Sequence, residues 1–271
     1  MNIKRYEKIA REIRKKIVVM HKRSRTSHIG SALSCVDILV VLYFKILNID
    51  PKNPEAENRD RFILSKGHAC SALYATLAMK KFFSEKILDK YGVDDGILFG
   101  HVTKGLVPGV EASTGSLGHG LSLGIGMAIA GRYDKKNYRV FVLMSDGECD
   151  EGSVWEGALF ASHHKLDNLI AIIDYNKLQA FGRTNEIINL EPIGEKWKAF
   201  GWSVKVVDGH ALDQLITTFE KIPFERGKPN LIVAHTIKGK GISFMENRLE
   251  WHYKSPNELE LTEALKELDT K

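Results

Sequence analysis

The chain has 271 residues, of which 44% are hydrophobic and 27% are charged, and its formal net charge is +5. These proportions are typical of a globular domain and exclude a disordered chain, a collagen and a coiled coil. The longest apolar run, residues 38–44, is far shorter than the roughly 20 residues that span a membrane, so no membrane contact is expected. The charged first residues predict no signal peptide, and we expect a cytoplasmic protein.

Charge and cysteine usage narrow the class of protein further. Acidic and basic residues are mixed along the whole chain, and the basic cluster of residues 14–25 fits the solvated face of a helix, so no nucleic-acid partner is expected. Attraction of a phosphorylated small ligand or of an acidic partner is the alternative for that cluster. The three cysteines lie far apart in the sequence, which predicts reduced thiols and no disulfide framework.

Helices dominate the first half of the predicted fold. Apolar residues at helical spacing predict the first helix, and Ser34 is predicted as the N-cap of the next one. A long loop rich in Gly and His precedes a helix whose glycines allow a close approach to another backbone. In chain order the predicted elements are helix 3–21, helix 35–47, strand 61–64, helices 71–80 and 84–91, loop 93–116 and helix 117–133.

Strands and helices alternate in the second half. Each strand is a short apolar run that is followed by a helix, a pattern typical of a parallel sheet covered on both faces. The predicted strands are 139–144, 169–174, 203–207 and 230–236, and the predicted helices are 151–164, 192–200 and 211–222. No linker divides the chain. We therefore predict an α/β fold, a parallel sheet with helices on both faces, in one domain over residues 1–271.

Residues that follow the strands are the first candidates for a site, because ligands of an open parallel sheet bind beyond the carboxyl ends of its strands. Asp146 follows one predicted strand and Asn176 follows the next, and a right-handed crossover places both at the same edge of the sheet. Their side-chain oxygens suit Mg²⁺ or Ca²⁺ bridging a diphosphate. The same residue types are common caps of helices and turns, and on these two residues alone capping is the favoured interpretation.

Two other nucleotide-binding motifs do not fit the sequence. It contains no GxxxxGK[ST] motif, which excludes a P-loop. Gly124 and Gly126 lie within a predicted helix, and Ile129 occupies the place of the third glycine of GxGxxG. The helical position of these two glycines and the missing third glycine argue against an NAD-dependent oxidoreductase.

Five histidines lie beside glycines or in predicted loops: His28, His68, His101, His119 and His252. A single loop histidine is usually only solvated, but several at loop mouths suit a site that holds sugar hydroxyls and transfers protons near neutral pH. The remaining histidines receive no role in this interpretation.

Several motifs resemble those of thiamine-diphosphate enzymes. Residues 145–147, Ser-Asp-Gly, with Asn176 thirty positions after the aspartate, resemble the GDG…N signature of that class. Further segments are similar to motifs of the transketolase family, and the similarity runs in order from about residue 5 to residue 260. They are TSHIG at 26–30, LSKGH at 64–68, GH at 100–101 with PGVE at 108–111, TGSLGHG at 114–120, and KGKG at 238–241 with WH at 251–252.

The resemblance implies the thiamine-diphosphate-binding fold, with thiamine diphosphate and Mg²⁺ as cofactors and Ca²⁺ or Mn²⁺ as alternative metals. The implied metal ligands are Asp146, Asn176 and the carbonyl oxygen of Leu178, and the implied catalytic residues are His28, His68, His101 and His252. The implied cofactor contacts are His68, Gly115, Ser116, Leu117, Asp146, Gly147, Glu148, Asn176, Leu178 and His252.

Glu151 and Glu156 are similar to acidic residues that link the two cofactor sites across the dimer in this family. The alternative for both is an exposed helix N-terminus, where the helix macrodipole favours carboxylates in any case.

The similarity covers only the amino-terminal third to half of a full transketolase. It therefore implies the N-terminal subunit of a split transketolase, inactive without a C-terminal subunit that carries the pyrimidine-binding and C-terminal domains. The expected assembly is an α2β2 heterotetramer, and the implied reaction moves a two-carbon ketol unit from a ketose phosphate to an aldose, as in the pentose phosphate pathway. Alternatives are another thiamine-dependent subunit, deoxyxylulose-phosphate-synthase-like or sulfosugar-processing, and a regulatory chain without cofactor.

Three positions depart from the family motifs. Ser145 replaces a glycine, Ser116 a proline and His119 a glutamine. We expect cofactor binding to tolerate these changes, whereas the resemblance does not extend to the identity of the donor and acceptor sugars.

Overall fold

Five parallel strands form the sheet of this protein, which a computed structural model describes over residues 2–270. The strands are β1 (Arg61–Leu64), β2 (Val140–Ser145), β3 (Leu169–Tyr175), β4 (Ser203–Asp208) and β5 (Asn230–His235). Their order across the sheet is β1-β2-β3-β5-β4. The prediction of an α/β fold with a parallel sheet is confirmed, because every predicted strand lies within one residue of its observed bounds.

Helices cover both faces of the sheet. They are α1 (Ile3–Ser24), α2 (Ile29–Ser34), α3 (Val36–Val41), α4 (Cys70–Met79), α5 (Gly120–Tyr133), α6 (Gly152–His163), α7 (Thr184–Ile187), α8 (Ile193–Ala199), α9 (Leu212–Phe219) and α10 (Glu258–Thr270). Alternate strand residues face opposite cores: Phe141 packs among apolar residues of α1–α4 and α9, whereas Val142 packs among those of α5, α6 and α8. None of the described helices is long and apolar enough to cross a membrane.

The segment before β1 differs most from the sequence prediction. The helix predicted over 35–47 begins earlier, at Ile29, and continues through α2, α3 and a π-helical turn, Leu42–Ile46. Ser34 is therefore not an N-cap, since its buried hydroxyl donates to Oδ2 of Asp174 over 2.6 Å and lies 3.0 Å from the carbonyl oxygen of Ser31. The bond to Asp174 joins residues 140 positions apart, so no local pattern reveals it. The sequence pattern also missed α10.

Helix α5 lies against the sheet because its inner face carries glycines. A Cβ atom on Gly124 would lie 2.5 Å from Cγ2 of Val142, and one on Gly120 would lie 2.2 Å from Oγ of Ser65. Gly126 is different, because it is exposed and a Cβ atom there would meet nothing within 4 Å. The close approach predicted from these glycines is confirmed for Gly120 and Gly124.

Substituting alanine at Gly124 and at Gly126 is expected to change stability in opposite directions. Alanine favours the helix by about 1 kcal/mol over glycine at either position. At Gly124 the new methyl group overlaps the stiff side chain of Val142, and overpacking costs about 1–3 kcal/mol, so Gly124→Ala is expected to destabilise the chain. Urea denaturation of both variants measures the difference, and two shifts of the same sign would contradict this packing argument.

His21 links α1 to α4 inside the core. Its Nε2 lies 2.8 Å from the hydroxyl of Ser71, and its Nδ1 lies 3.1 Å from the carbonyl oxygen of Thr26. Burial lowers the pKa of His21 to about 4. The folded chain thus holds this imidazole neutral where the unfolded chain would protonate it.

The stability of the isolated chain is expected to fall between pH 6.5 and pH 4, because the unfolded state binds a proton that the folded His21 refuses. The pKa difference corresponds to at most about 3 kcal/mol in the free energy of unfolding. This stabilisation is fully present above the unfolded pKa and is lost as the pH falls toward the folded pKa. Urea midpoints measured across this range should fall less steeply in His21→Gln. His119→Gln, at an exposed histidine, serves as the control and should keep the wild-type slope.

Candidate functional site

The carboxyl ends of β2 and β3 meet at the centre of the sheet. Ser145 pairs with Asp174 in the register of the two strands, so Asp146 and Asn176 follow at adjoining strand ends. The backbone N–H of Lys177 donates to Oδ2 of Asp146 over 2.6 Å, a contact between the two tips. The predicted juxtaposition of Asp146 and Asn176 is confirmed.

Three residues at these tips, Asp146, Asn176 and Leu178, carry oxygen atoms suited to a hard cation, and all three line one cleft. Asp146 is buried, and burial together with the negative charge of Asp174 raises its pKa to about 6. The side-chain oxygen of Asn176 accepts the N–H of Leu178, and the carbonyl oxygen of Leu178 accepts Nζ of Lys238 over 3.0 Å. A carboxylate, an amide oxygen and a carbonyl oxygen form a donor set for Mg²⁺ or Ca²⁺. The incompletely compensated carboxylate of Asp146 fits a divalent cation there.

The described residues contain no cluster of three or more His, Cys, Asp or Glu side chains arranged to bind a metal.

Glu148 supports the site from below. Its fully buried carboxylate accepts the hydroxyl of Ser65, the N–H of Gly118 over 3.1 Å and the N–H of Ser145 over 3.0 Å. These bonds join the ends of β1 and β2 to the loop before α5. The structure thus places Glu148, a predicted cofactor contact, beneath the cleft rather than among the residues that line it.

Four of the predicted histidines meet in one cleft of about 420 Å³ beside the strand tips. The centroid of the His28 ring lies 5.2 Å from the ring centroid of His68, 5.9 Å from that of His101 and 4.9 Å from that of His252. His28 stands at the start of α2 in the left-handed region, with φ 78°. His119 is exposed at the start of α5, outside this cleft.

Three of the clustered imidazoles, those of His28, His68 and His252, are held neutral at physiological pH. Burial lowers the pKa of His28 to about 4 and that of His252 to about 3, and it lowers the pKa of His68 well below the ordinary value. Positive charge on Lys66 and Lys238 adds to the effect of burial in all three cases. Neutral imidazoles can both donate and accept hydrogen bonds, as a site for sugar hydroxyls requires.

Two buried lysines beneath the histidines were missed by sequence reasoning. Lys66 is fully buried, pairs with Asp174 and donates to the carbonyl oxygen of Ser31 over 3.0 Å. Lys238 is also fully buried, and it donates to Leu178 and to Nδ1 of His252, each over 3.0 Å. Burial, with repulsion from Lys66, lowers the pKa of Lys238 to about 8. Both lysines lie within the quoted motifs, but the sequence alone shows no burial.

The other predicted residues divide between the cleft and the surface. Gly115, Leu117, Gly147 and Glu151 line the cleft. Ser116 and Glu156 are exposed and lie outside it, Glu156 in a separate groove between α5 and α6. Further lining residues that the sequence analysis did not predict are Asp150, Gln179, Ala180, Phe181 and Ile187.

Fold and site together define a thiamine-diphosphate-binding domain, and comparison with known proteins gives its family. A family model described as the thiamine diphosphate binding domain of transketolase matches residues 6–269. The chain therefore belongs to the transketolase family, and its resemblance to the N-terminal subunit of a split transketolase is confirmed.

Curated relatives include proteins that are named as single subunits of transketolases. The chain is 44% identical over 268 residues to one such subunit of the apulose-4-phosphate transketolase of Phocaeicola vulgatus, a match that covers 99% of this chain and 95% of the relative. It is 45% identical over 225 residues to the 6-deoxy-6-sulfo-D-fructose transketolase subunit SqwG of a Clostridium species, covering 83% of this chain and 82% of the relative.

Solved transketolases share the fold of the whole chain but are much longer. The Campylobacter jejuni enzyme superposes with a TM-score of 0.92 at 29% identity, covering 99% of this chain and 43% of its own. The Leishmania mexicana enzyme gives 0.91 at 27% identity, covering 97% and 41%. The chain thus spans less than half the length of these solved relatives.

Replacing Asp146 by alanine is expected to abolish the Mg²⁺-dependent binding of thiamine diphosphate. The variant loses the only acidic oxygen donor, so affinity should fall by more than the roughly 10- to 100-fold that follows loss of a supporting residue at metal sites. Calorimetric titration with and without Mg²⁺, on the chain combined with a C-terminal subunit, measures the loss. Asp150→Ala removes a carboxylate from the same cleft and is the matched control; equal affinity of Asp146→Ala and wild type would refute the ligand assignment.

Proposed function

We propose that this chain is the N-terminal subunit of a two-chain transketolase that transfers a two-carbon ketol unit from a ketose phosphate to an aldose. The observation that carries the proposal is that the oxygen donors at the strand tips and four histidines line one cleft. A cation site alone would suit many diphosphate-binding proteins. The histidines beside it add the proton-transfer groups that sugar chemistry needs.

The residues at the strand tips fit Mg²⁺ and a diphosphate. Asp146, Asn176 and the carbonyl oxygen of Leu178 would hold the metal, with Ca²⁺ or Mn²⁺ as alternatives. Gly147 lets the backbone approach the phosphates closely, and Gly115 and Leu117 would contact the aminopyrimidine. When bound, thiamine diphosphate supplies the carbon nucleophile and electron sink for breaking a bond next to a ketone.

The histidines orient the sugar and move its protons in this proposal. His28 and His101 would hold hydroxyl groups of the donor, while His68 and His252 would serve the diphosphate end and the reacting oxygens. A neutral imidazole can donate its N–H to a developing alkoxide while its other nitrogen accepts a hydrogen bond or a proton. The low pKa of His28 and His252 favours this role.

A second polypeptide completes the active site in this proposal. The chain spans 95% of a relative that is itself named as one subunit, but only 43% of a single-chain transketolase, and this difference supports a partner with the remaining domains. We propose that residues 1–271 act as one diphosphate-binding domain. The partner would carry the pyrimidine-binding and C-terminal domains in an α2β2 assembly. Glu151 and Glu156 of this chain would then link the two cofactor sites of that assembly.

The names of the relatives favour a more specific donor as a second candidate. Relatives at 44% and 45% identity are named for apulose-4-phosphate and for 6-deoxy-6-sulfo-D-fructose. Identity at this level over most of the chain supports the same reaction class, while the donor differs between the relatives themselves. We therefore propose these two sugars as donors to test beside the pentulose and hexulose phosphates.

Ketol transfer is expected only when the chain is combined with its C-terminal subunit. Because the chain spans 43% of a solved transketolase and the proposal assigns the remaining domains to a partner, the chain alone should show no turnover above background. Co-expression with a candidate C-terminal subunit encoded beside it, followed by a coupled aldose assay with each donor, measures the activity. Removal of divalent metal with EDTA should abolish the activity, and added Mg²⁺ should restore it.

The controls separate the alternatives. Ketol transfer by the isolated chain would contradict the split-enzyme proposal. A complex that forms but binds no thiamine diphosphate would instead favour a regulatory chain.

A further inference from the structure

The loop that carries Lys238 is fixed by bonds to other segments on both sides of this lysine. The N–H of Ile237 donates to Nε2 of His210 over 2.9 Å. The N–H of Gly239 donates to the carbonyl oxygen of Gly30 over 3.0 Å, and Nε of Arg14 donates to the carbonyl oxygen of Lys240 over 3.1 Å. The position of the Lys238 ammonium group thus depends on a backbone segment that is hydrogen-bonded to His210, Gly30 and Arg14.

His210 has a defined tautomer in this arrangement. Its Nε2 receives the N–H of Ile237, so that nitrogen is an acceptor and carries no proton. Its Nδ1 lies 2.7 Å from Oδ2 of Asp37 and is the donor of that bond. The imidazole therefore bridges α3 and the loop after β5: it donates to Asp37 and accepts from Ile237.

Asp37 is itself held by two parallel bonds from Arg14 on α1. Nη1 donates to Oδ1 over 3.0 Å and Nη2 donates to Oδ2 over 2.7 Å. Arg14 and Asp37 are each only 6% exposed, so the pair is shielded from water. With the Arg14 guanidinium and His210 beside it, the pKa of Asp37 lies low, at about 2. The carboxylate is therefore charged and accepts from both neighbours across the physiological range.

We propose that Arg14, Asp37 and His210 form a buried clamp that positions Lys238, and through it His252, from outside the cofactor cleft. None of the three lines the cleft; all three line a separate groove beside α1 and α9. They act through the loop, as positioning residues. The inference rests on the proposed function where it concerns the cofactor, whereas the holding of the loop is a property of the chain itself.

Two substitutions of His210 test its hydrogen bonds to Asp37 and to Ile237 one at a time. The amide of His210→Asn can replace the Nδ1 donor to Asp37 but does not reach Ile237. The longer amide of His210→Gln can place an acceptor near the Nε2 position and keep the bond to Ile237. A clamp requires the loop contact, so Asn should release the loop and Gln should retain it. A residue that matters only as a partner of Asp37 would give the reverse order.

Hydrogen exchange of the full chain tests the holding of the loop directly. In His210→Asn the amides of Ile237 and Gly239 are expected to exchange about tenfold faster than in wild type, the effect of losing one buried hydrogen bond. His210→Gln should stay within about twofold of wild type. Arg139→Gln breaks an ion pair with Asp60 at the opposite edge of the sheet and is the matched control. Unchanged exchange in His210→Asn, or equal acceleration in Arg139→Gln, would overturn the proposal.

The reconstituted enzyme gives the second readout. His210→Asn is expected to raise the KM for thiamine diphosphate about tenfold and to lower kcat, because Lys238 donates to His252 as well as to Leu178, and His210→Gln should restore both constants. Wild-type KM and kcat in His210→Asn, or equal losses in His210→Gln, would overturn the positioning role. If the wild-type complex shows no ketol transfer at all, the proposed function fails, and the exchange experiment still decides whether the clamp exists.

Discussion

The site depends on the hydrogen bonds and the ion pair that the buried carboxylate of Asp174 forms. This carboxylate accepts hydrogen bonds from Ser34 and Thr236 and forms a fully buried ion pair with Lys66. These four residues belong to α2, the turn after β1, the end of β3 and the loop after β5, and each of those segments also carries a site residue. Those site residues are His28, His68, Asn176 and Lys238. Removing one partner of such a pair costs about 3–5 kcal/mol, because the other charge is left buried alone.

The buried charged groups of the site are of both signs. The two buried lysines lie near three buried carboxyl groups, those of Asp146, Glu148 and Asp174. Asp146 and Glu148 lie among these lysines and keep the raised pKa of buried carboxyl groups. The carboxyl groups thus outnumber the lysines at the strand tips, and a bound cation would offset the excess negative charge.

The sequence was sufficient for the sheet and for part of the site, and the reason is local. Continuous apolar runs define β2, β3 and β5 without help from the rest of the chain, and the crossover rule then brings Asp146 beside Asn176. Ser34 was misassigned because its partner, Asp174, lies far along the chain. Lys66 and Lys238 were missed for a similar reason: a lysine is ordinarily exposed, and only tertiary contacts show that these two are not.

The ionised carboxylate of Asp146 is costly to hold at the strand tips. Burial and the charge of Asp174 raise its pKa from 3.8 to about 6, which corresponds to at most about 3 kcal/mol against the ionised form. The pKa stays raised although two backbone amides donate to Asp146 and lower it. A divalent cation at the same oxygens would favour the ionised form, so its binding would be coupled to folding at this residue. The geometry that makes the ionised form of Asp146 costly also suits it to bind a cation, since both follow from holding its carboxylate out of water at the meeting point of β2 and β3.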